Sequence, residues 1–97
     1  MELLPDKAYH ITVAGKIEEI RPANGEDFEL EDVQSRVEGY IEVVRINDDQ
    51  IMIVNEEGKF SKPYNVFATA IAQLNHAIGS RGYICGNVVL CPSSMLQ

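Results

Sequence analysis

Between residues 8 and 20, Tyr9, Ile11 and Val13 alternate with His10, Thr12 and Ala14, and Ile17 and Ile20 follow beyond Gly15. A period of two predicts one half-buried strand across this stretch, with Gly15 as a bulge or bend. Residues 21–25, "RPANG", carry Pro and Asn-Gly turn signals and read as a loop. From residue 28 to 38 the period changes, and Leu30, Val33, Gln34 and Val37 recur at helical spacing. Asp27 suits the N-cap of that helix. Glu29, Glu31 and Asp32 suit its positive end, Arg36 its negative end, and Gly39 a left-handed exit.

Residues 40–46, "YIEVVRI", and 51–54, "IMIV", read as strands joined by the polar "NDDQ", which makes a hairpin. The second of them is apolar on both faces. The next helix has Pro63 ahead of it and Asn65 as N-cap. Its expected apolar stripe is Phe67, Ala70, Ile71, Leu74, Ala77 and Ile78, with Thr69, Gln73 and His76 opposite and Gly79 as its end. Residues 82–92, "GYICGNVVLCP", read as a last strand, broken or bulged at Gly86, and 93–97 as a frayed tail.

The order β-α-β-β-α-β is that of a ferredoxin-like, two-layer α+β sandwich. It predicts a four-stranded antiparallel sheet with the first and third strands central, residues 40–46 at an edge, and two helices on one face. The bare sheet face then favours pairing with a second copy. A length of 97 residues sets one domain, 1–97, as the expectation.

Composition narrows the function. The net charge is −7, and the eight Lys and Arg residues are scattered singly rather than clustered. Nucleic acid and anionic membranes need clustered bases, so direct binding to either is not expected. No apolar run reaches the ~20 residues of a membrane helix, and residues 1–6 lack a basic region and apolar core, so the expected location is cytoplasmic. Seven acids lie between Glu18 and Asp32. They read as a solvated face, or alternatively, with Asp48, Asp49, Glu56 and Glu57, as a DNA-mimicking stripe. Cys85 and Cys91, read as lying on one strand, stand about 20 Å apart and cannot pair with each other. They are expected to be buried thiols.

The stretch "NEEGK" looks like chemistry. A phosphate loop needs several glycines and a helix directly after them, whereas here one glycine follows two carboxylates. As a turn, Asn55, Glu56 and Glu57 leave the strand, Gly58 takes a positive φ and Lys59 resumes an extended path. Glu56 and Glu57, like Glu18 and Glu19, are adjacent on extended chain and point apart, which suits no acid/base pair. His10 and His76 have no metal-ligand spacing to each other or to the cysteines. No catalytic, cofactor-binding or metal-binding residue is assigned, and no cofactor is expected. Asn65, Thr69 and Asn87, with Tyr83, are polar or amphipathic groups near glycine-bounded segments and form the candidate rim of a small-ligand pocket.

The full pattern is more specific than any one motif. "EIRPANG", "F.LEDVQ..VEGYIEVV", "IVNEEGK", Asn65 with Ala68 and Thr69, and "GNVVLCP" together resemble a family of small bacterial and phage proteins, domain of unknown function 3846. The resemblance runs from about Ile11 to Pro92. Members often carry two glycines ahead of the tyrosine that starts a strand, and this chain has Glu38 before Gly39. The resemblance implies a setting in phages, plasmids and other mobile elements or their hosts, and carries over no functional residue. The expected function is a small, acidic, non-enzymatic accessory protein acting through a protein partner or as a homodimer. A nucleotide or small-signal binder and a DNA mimic are the alternatives.

Overall fold

The structure, a computed structural model, describes residues 2–96; Met1 and Gln97, the outer ends of the leader and tail readings above, lie outside them. The first expected strand is in fact two. β1 (Ala8–Ile11) and β2 (Ile17–Ile20) form an antiparallel hairpin. Gly15 sits at its turn with φ +90°, where the Thr12 N–H bonds the Lys16 carbonyl and the Gly15 N–H bonds the Thr12 carbonyl. Gly15 therefore reverses the chain instead of bulging it. A side chain there meets the left-handed penalty that glycine avoids.

α1 (Leu30–Val37) begins after Phe28, whose N–H is taken by the Met95 carbonyl at 2.8 Å. Its N-cap is Glu29 and not Asp27, which accepts instead from Asn24 Nδ2. Glu38, and not Gly39, takes the left-handed exit, at φ 66°. That is the position where glycine would cost least. Gly39 is constrained otherwise: an added Cβ would stand 2.7 Å from Asn55 Nδ2.

β3 (Ile41–Arg45) and β4 (Gln50–Asn55) form the next hairpin. A one-turn helix α2 (Gly58–Ser61) and then α3 (Val66–Leu74) lead to β5 (Val88–Pro92) and a 3₁₀ turn (Ser93–Met95). β5 starts beyond Gly86, which has φ +88°. The segment before it pairs with the chain ahead of α3 through Tyr64 and Cys85. Cys85 therefore lies off the strand that holds Cys91. The tail packs: Met95 and Leu96 lie against the core on the α1 side.

The sheet has five strands in the order β2-β1-β5-β4-β3, every neighbouring pair antiparallel. The α+β class holds, but the four-stranded, two-helix, ferredoxin-like sandwich does not. Among the described residues there are three α-helices, and the two longer ones cover opposite faces. Ile51 and Ile53 of β4 pack with Val33 and Val37 of α1, while Met52 and Val54 pack with Ala68 and Ala72 of α3. β5 divides the same way, with Val89 and Cys91 on one side and Val88 and Leu90 on the other. The handedness rule that would put both helices on one face governs parallel crossovers. β4 and β5 are antiparallel neighbours, so the connection through α3 is free to take the other face. Among the described residues β4 and β5 are covered on both faces, so the bare face expected to drive pairing is not found there.

α3 corrects a second expectation. It ends at Leu74, with Asn75 as C-cap and His76 at φ 57°, so Gly79 does not close it. The face it buries is the small one, Ala68, Thr69 and Ala72. Among the described residues no helix is long and apolar enough to cross a membrane.

Candidate functional site

A cavity of about 200 Å³ opens between β3, the end of β4, α2 and the segment before β5. Val44, Val54, Ile78 and Ile84 give it apolar walls, and Phe60 and Tyr83 give it aromatic edges. Glu42, Glu56 and Lys59 bring charge to its lining. Glu42 reaches it because β3 alternates: Glu42 and Val44 share the face of Val54 and Met52, their partners on β4. Lys59 and Phe60 reach it because α2 follows β4 after only a two-residue turn.

The expected turn, Asn55 to Lys59, thus has more structure than foreseen. Asn55 is buried, and its Nδ2 donates to the carbonyls of Val37 and Glu38 at 3.0 and 3.2 Å, capping the end of α1. Its Oδ1 accepts from the Glu57 N–H at 2.8 Å. Gly58 has no positive φ and starts a helical turn, and Lys59 is helical, not extended. Glycine is required at 58 by proximity, since an added Cβ would lie 2.6 Å from the Cys85 carbonyl oxygen. Lys59 Nζ stands 4.7 Å over the Tyr83 ring, and Tyr83 lies 6.3 Å from the Tyr64 ring. Phe60 is 89% exposed. Among the described residues, the Glu42 and Glu56 carboxylates have neither an ion pair nor a hydrogen bond, unlike Glu18, Glu19, Asp32 and Glu38, which face Lys16, Lys7 with Arg21, Arg36 and Lys62.

The residues singled out from sequence do come together, but away from this cavity. Asn65 is fully buried and caps α3 by accepting from the Ala68 N–H at 3.0 Å. Its Nδ2 donates to the carbonyls of Ile11 and Gly86 at 3.1 and 2.8 Å. Thr69 Oγ1 donates to the Ile84 carbonyl and accepts from the Ile84 N–H. Asn87 Oδ1 accepts from the Val13 N–H at 3.0 Å. These side chains tie α3, the segment before β5 and the β1–β2 hairpin together, and none of the three lines this cavity. Of that group Tyr83 alone is in its lining.

Other candidates stay apart. Among the described residues no three His, Cys, Asp or Glu side chains converge to hold a metal ion. His10 Nε2 lies 3.1 Å from the Arg36 carbonyl, on the α1 side. Glu18 and Glu19 lie on one edge strand and Asp48 and Asp49 at the β3–β4 turn, three to four strand spacings or about 14–19 Å across the sheet. Lys7, Lys16 and Arg21 interrupt the acids at the first edge. Both cysteines are free and buried, and burial pushes the Cys91 thiol up to about 12. A neutral thiol is a poor nucleophile. Iodoacetamide at neutral pH is therefore expected to label Cys91 only as fast as the protein unfolds; labelling of the native protein at the rate of a free thiol contradicts the packing.

Sequence reasoning missed the cavity because its walls come from four segments. The available signal was Glu42, a lone carboxylate on the same strand face as Val44, next to a turn bearing Glu56 and Lys59. No curated protein and no solved structure matches this chain. A family model does match, over residues 7–94. The chain belongs to the family described as "Domain of unknown function (DUF3846)".

Proposed function

We propose that the protein is a small, acidic, non-enzymatic accessory protein of a phage or other mobile element, or of its bacterial host, and that it works by protein contact as a homodimer. The family resemblance supports the setting. One observation carries the contact: α3 presents its bulky apolar residues outward. Val66 is 61%, Phe67 46% and Leu74 81% exposed, and Ala70 is exposed between them. A solvated helix face ordinarily carries charge, yet Val66–Leu74 contains no ionisable residue.

A second copy suits this row better than an arbitrary partner. At a net charge of −7, most pairings of two copies bring carboxylates together; the α3 row does not. Val66, Ala70 and Leu74 succeed one another at spacings of four, so they lie along one line of the helix. A two-fold axis at Ala70 sets Val66 of each copy against Leu74 of the other, and the small central residue lets the axes approach within 8–10 Å.

Sedimentation velocity tests this reading. The native protein at about 100 μM, where a micromolar dimer is essentially complete, is expected to sediment with the mass of two chains. Leu74→Asp is expected to give one chain without loss of the folded spectrum, since Leu74 is exposed. A native protein that stays monomeric at that concentration, or a Leu74→Asp variant that stays dimeric, removes the proposed contact.

A further inference from the structure

The two edges of the sheet are not alike. On β2 the carboxylates of Glu18 and Glu19 are held by Lys16, Lys7 and Arg21 within 3.9 Å, a charged guard of the kind that blocks edge pairing. β3 carries Glu42 and Arg45, but among the described residues neither is in an ion pair. The Glu56 N–H bonds the Tyr40 carbonyl and the Ile46 N–H bonds the Gln50 carbonyl. With the register Ile41↔Asn55 to Arg45↔Ile51, the even-numbered residues therefore bond to β4. The N–H and C=O groups of Ile41, Val43 and Arg45 face away from the sheet, and Val43 is 45% exposed. This open edge forms a wall of the cavity, because Glu42 and Val44 line it.

We propose that β3 receives an extended segment of a basic partner protein as a sixth strand, with one arginine of that segment seated in the cavity. Added strands gain affinity from backbone hydrogen bonds and specificity from pockets for alternate side chains. A residue opposite Glu42 on the added strand projects on the cavity side, within cross-strand reach of that carboxylate. An arginine there lays its stem along Val44 and meets Glu42, Glu56 and the open Phe60 ring, which suits a planar, stackable cation. Lys59, on the Tyr83 ring, is the one base of the lining, against two carboxylates that lack partners. The molecule's net charge of −7 steers a basic partner toward it.

A second copy does not fit this edge. Two-fold antiparallel pairing preserves the faces of the sheet, so the numbers of opposed residues must sum to an even number. Centred on Val43, such a pair sets Val44 opposite Glu42. Centred on Glu42 it opposes two carboxylates, and centred on Val44 it sets Ile46 opposite Glu42. Arg45 projects on the other face and never meets Glu42. This surface is separate from the α3 row, and a protein found monomeric leaves the following test intact.

The probe is the blocked peptide acetyl-Thr-Val-Thr-Arg-Thr-Val-Thr-amide, with citrulline for arginine as its neutral counterpart. Amide exchange of the full chain, read by NMR with and without peptide, is expected to slow about tenfold or more at Ile41, Val43 and Arg45. The citrulline peptide, or Glu42→Gln with the arginine peptide, is expected to bind about tenfold more weakly. Glu42→Gln is expected to leave citrulline binding unchanged. Val43→Pro removes an outward N–H while sparing the β4 ladder, and is expected to abolish binding. Unchanged exchange at Val43 with millimolar peptide, equal binding of both peptides, or protection appearing at β2 overturns the proposal.

Discussion

Asn65→Ala is expected to be the most destabilising polar substitution in the chain, lowering unfolding free energy by about 4 kcal/mol. Three losses combine. The cap to the Ala68 N–H goes, which costs about 1 kcal/mol at a helix start. The carbonyls of Ile11 and Gly86 then lose the donor that reaches them at 3.1 and 2.8 Å inside the protein. Each buried acceptor left without a partner costs about 1–3 kcal/mol. At this chain length that total corresponds to a fall in Tm of about 20 °C. Asn65→Asp separates the parts, because it keeps the capping oxygen and replaces the amide donor by a buried charge facing two carbonyl oxygens. It is expected to be at least as damaging as alanine at neutral pH and to recover partly in acid, as the carboxyl takes up a proton and becomes a donor. Thermal unfolding followed by circular dichroism reads all three proteins. A loss of only about 1 kcal/mol in Asn65→Ala means that the cap alone matters and that the two carbonyls are satisfied elsewhere.

The same residue shows what was legible in the sequence. Asn65 at the start of α3 was readable because capping is local: the side chain bonds a backbone N–H three positions on. Its amide was not readable, because Ile11 lies fifty-four residues away. The β3–β4 hairpin was readable from the short polar link between two apolar runs. The topology was not, and the fault lies at Gly15. Residues 8–20 make thirteen positions, long against a usual strand of about 5–6, and dividing them at the glycine changes a four-stranded sheet into a five-stranded one. Residues 51–54 carried the warning. A strand apolar on both sides is a strand covered on both sides, and Ile53 with Met52 did announce helices on opposite faces. On α3 the period gave the helix but not its rotation. Hydrophobicity points Phe67 and Leu74 inward, whereas close packing on the sheet selects Ala68 and Ala72, and Thr69 is admitted because Ile84 satisfies its hydroxyl on both counts. A candidate binding surface was left outside by that choice. The cavity beside β3 was illegible for the reason most sites are: its lining is assembled by the fold.

Gly58→Ala is the second large effect, and its sign decides between two views of the "NEEGK" stretch. If residues 55–59 were a free surface turn entering a helical step, alanine would stabilise it, since glycine in a helix is about 1 kcal/mol worse than alanine. φ gives no objection, because Gly58 is not among the residues with positive values. The objection is contact. The added methyl carbon would lie 2.6 Å from the Cys85 carbonyl oxygen and 3.4 Å from its carbon, and both are backbone atoms that no rotamer change can move. α2 or the segment before β5 must shift, at a net cost of about 2–3 kcal/mol. Gly79→Ala is the control, for it meets nothing within 4 Å and has no positive φ, and it is expected to change stability by about 0.5 kcal/mol or less. The displacement also reaches the cavity, since α2 carries Lys59 and Phe60 and the shifted segment carries Tyr83. Gly58→Ala is therefore expected to weaken the arginine peptide even at temperatures where the variant is fully folded. Urea unfolding and peptide titration on the same sample measure both effects. A variant more stable than the native protein would place α2 clear of the Cys85 carbonyl and remove the close approach that makes glycine necessary at 58.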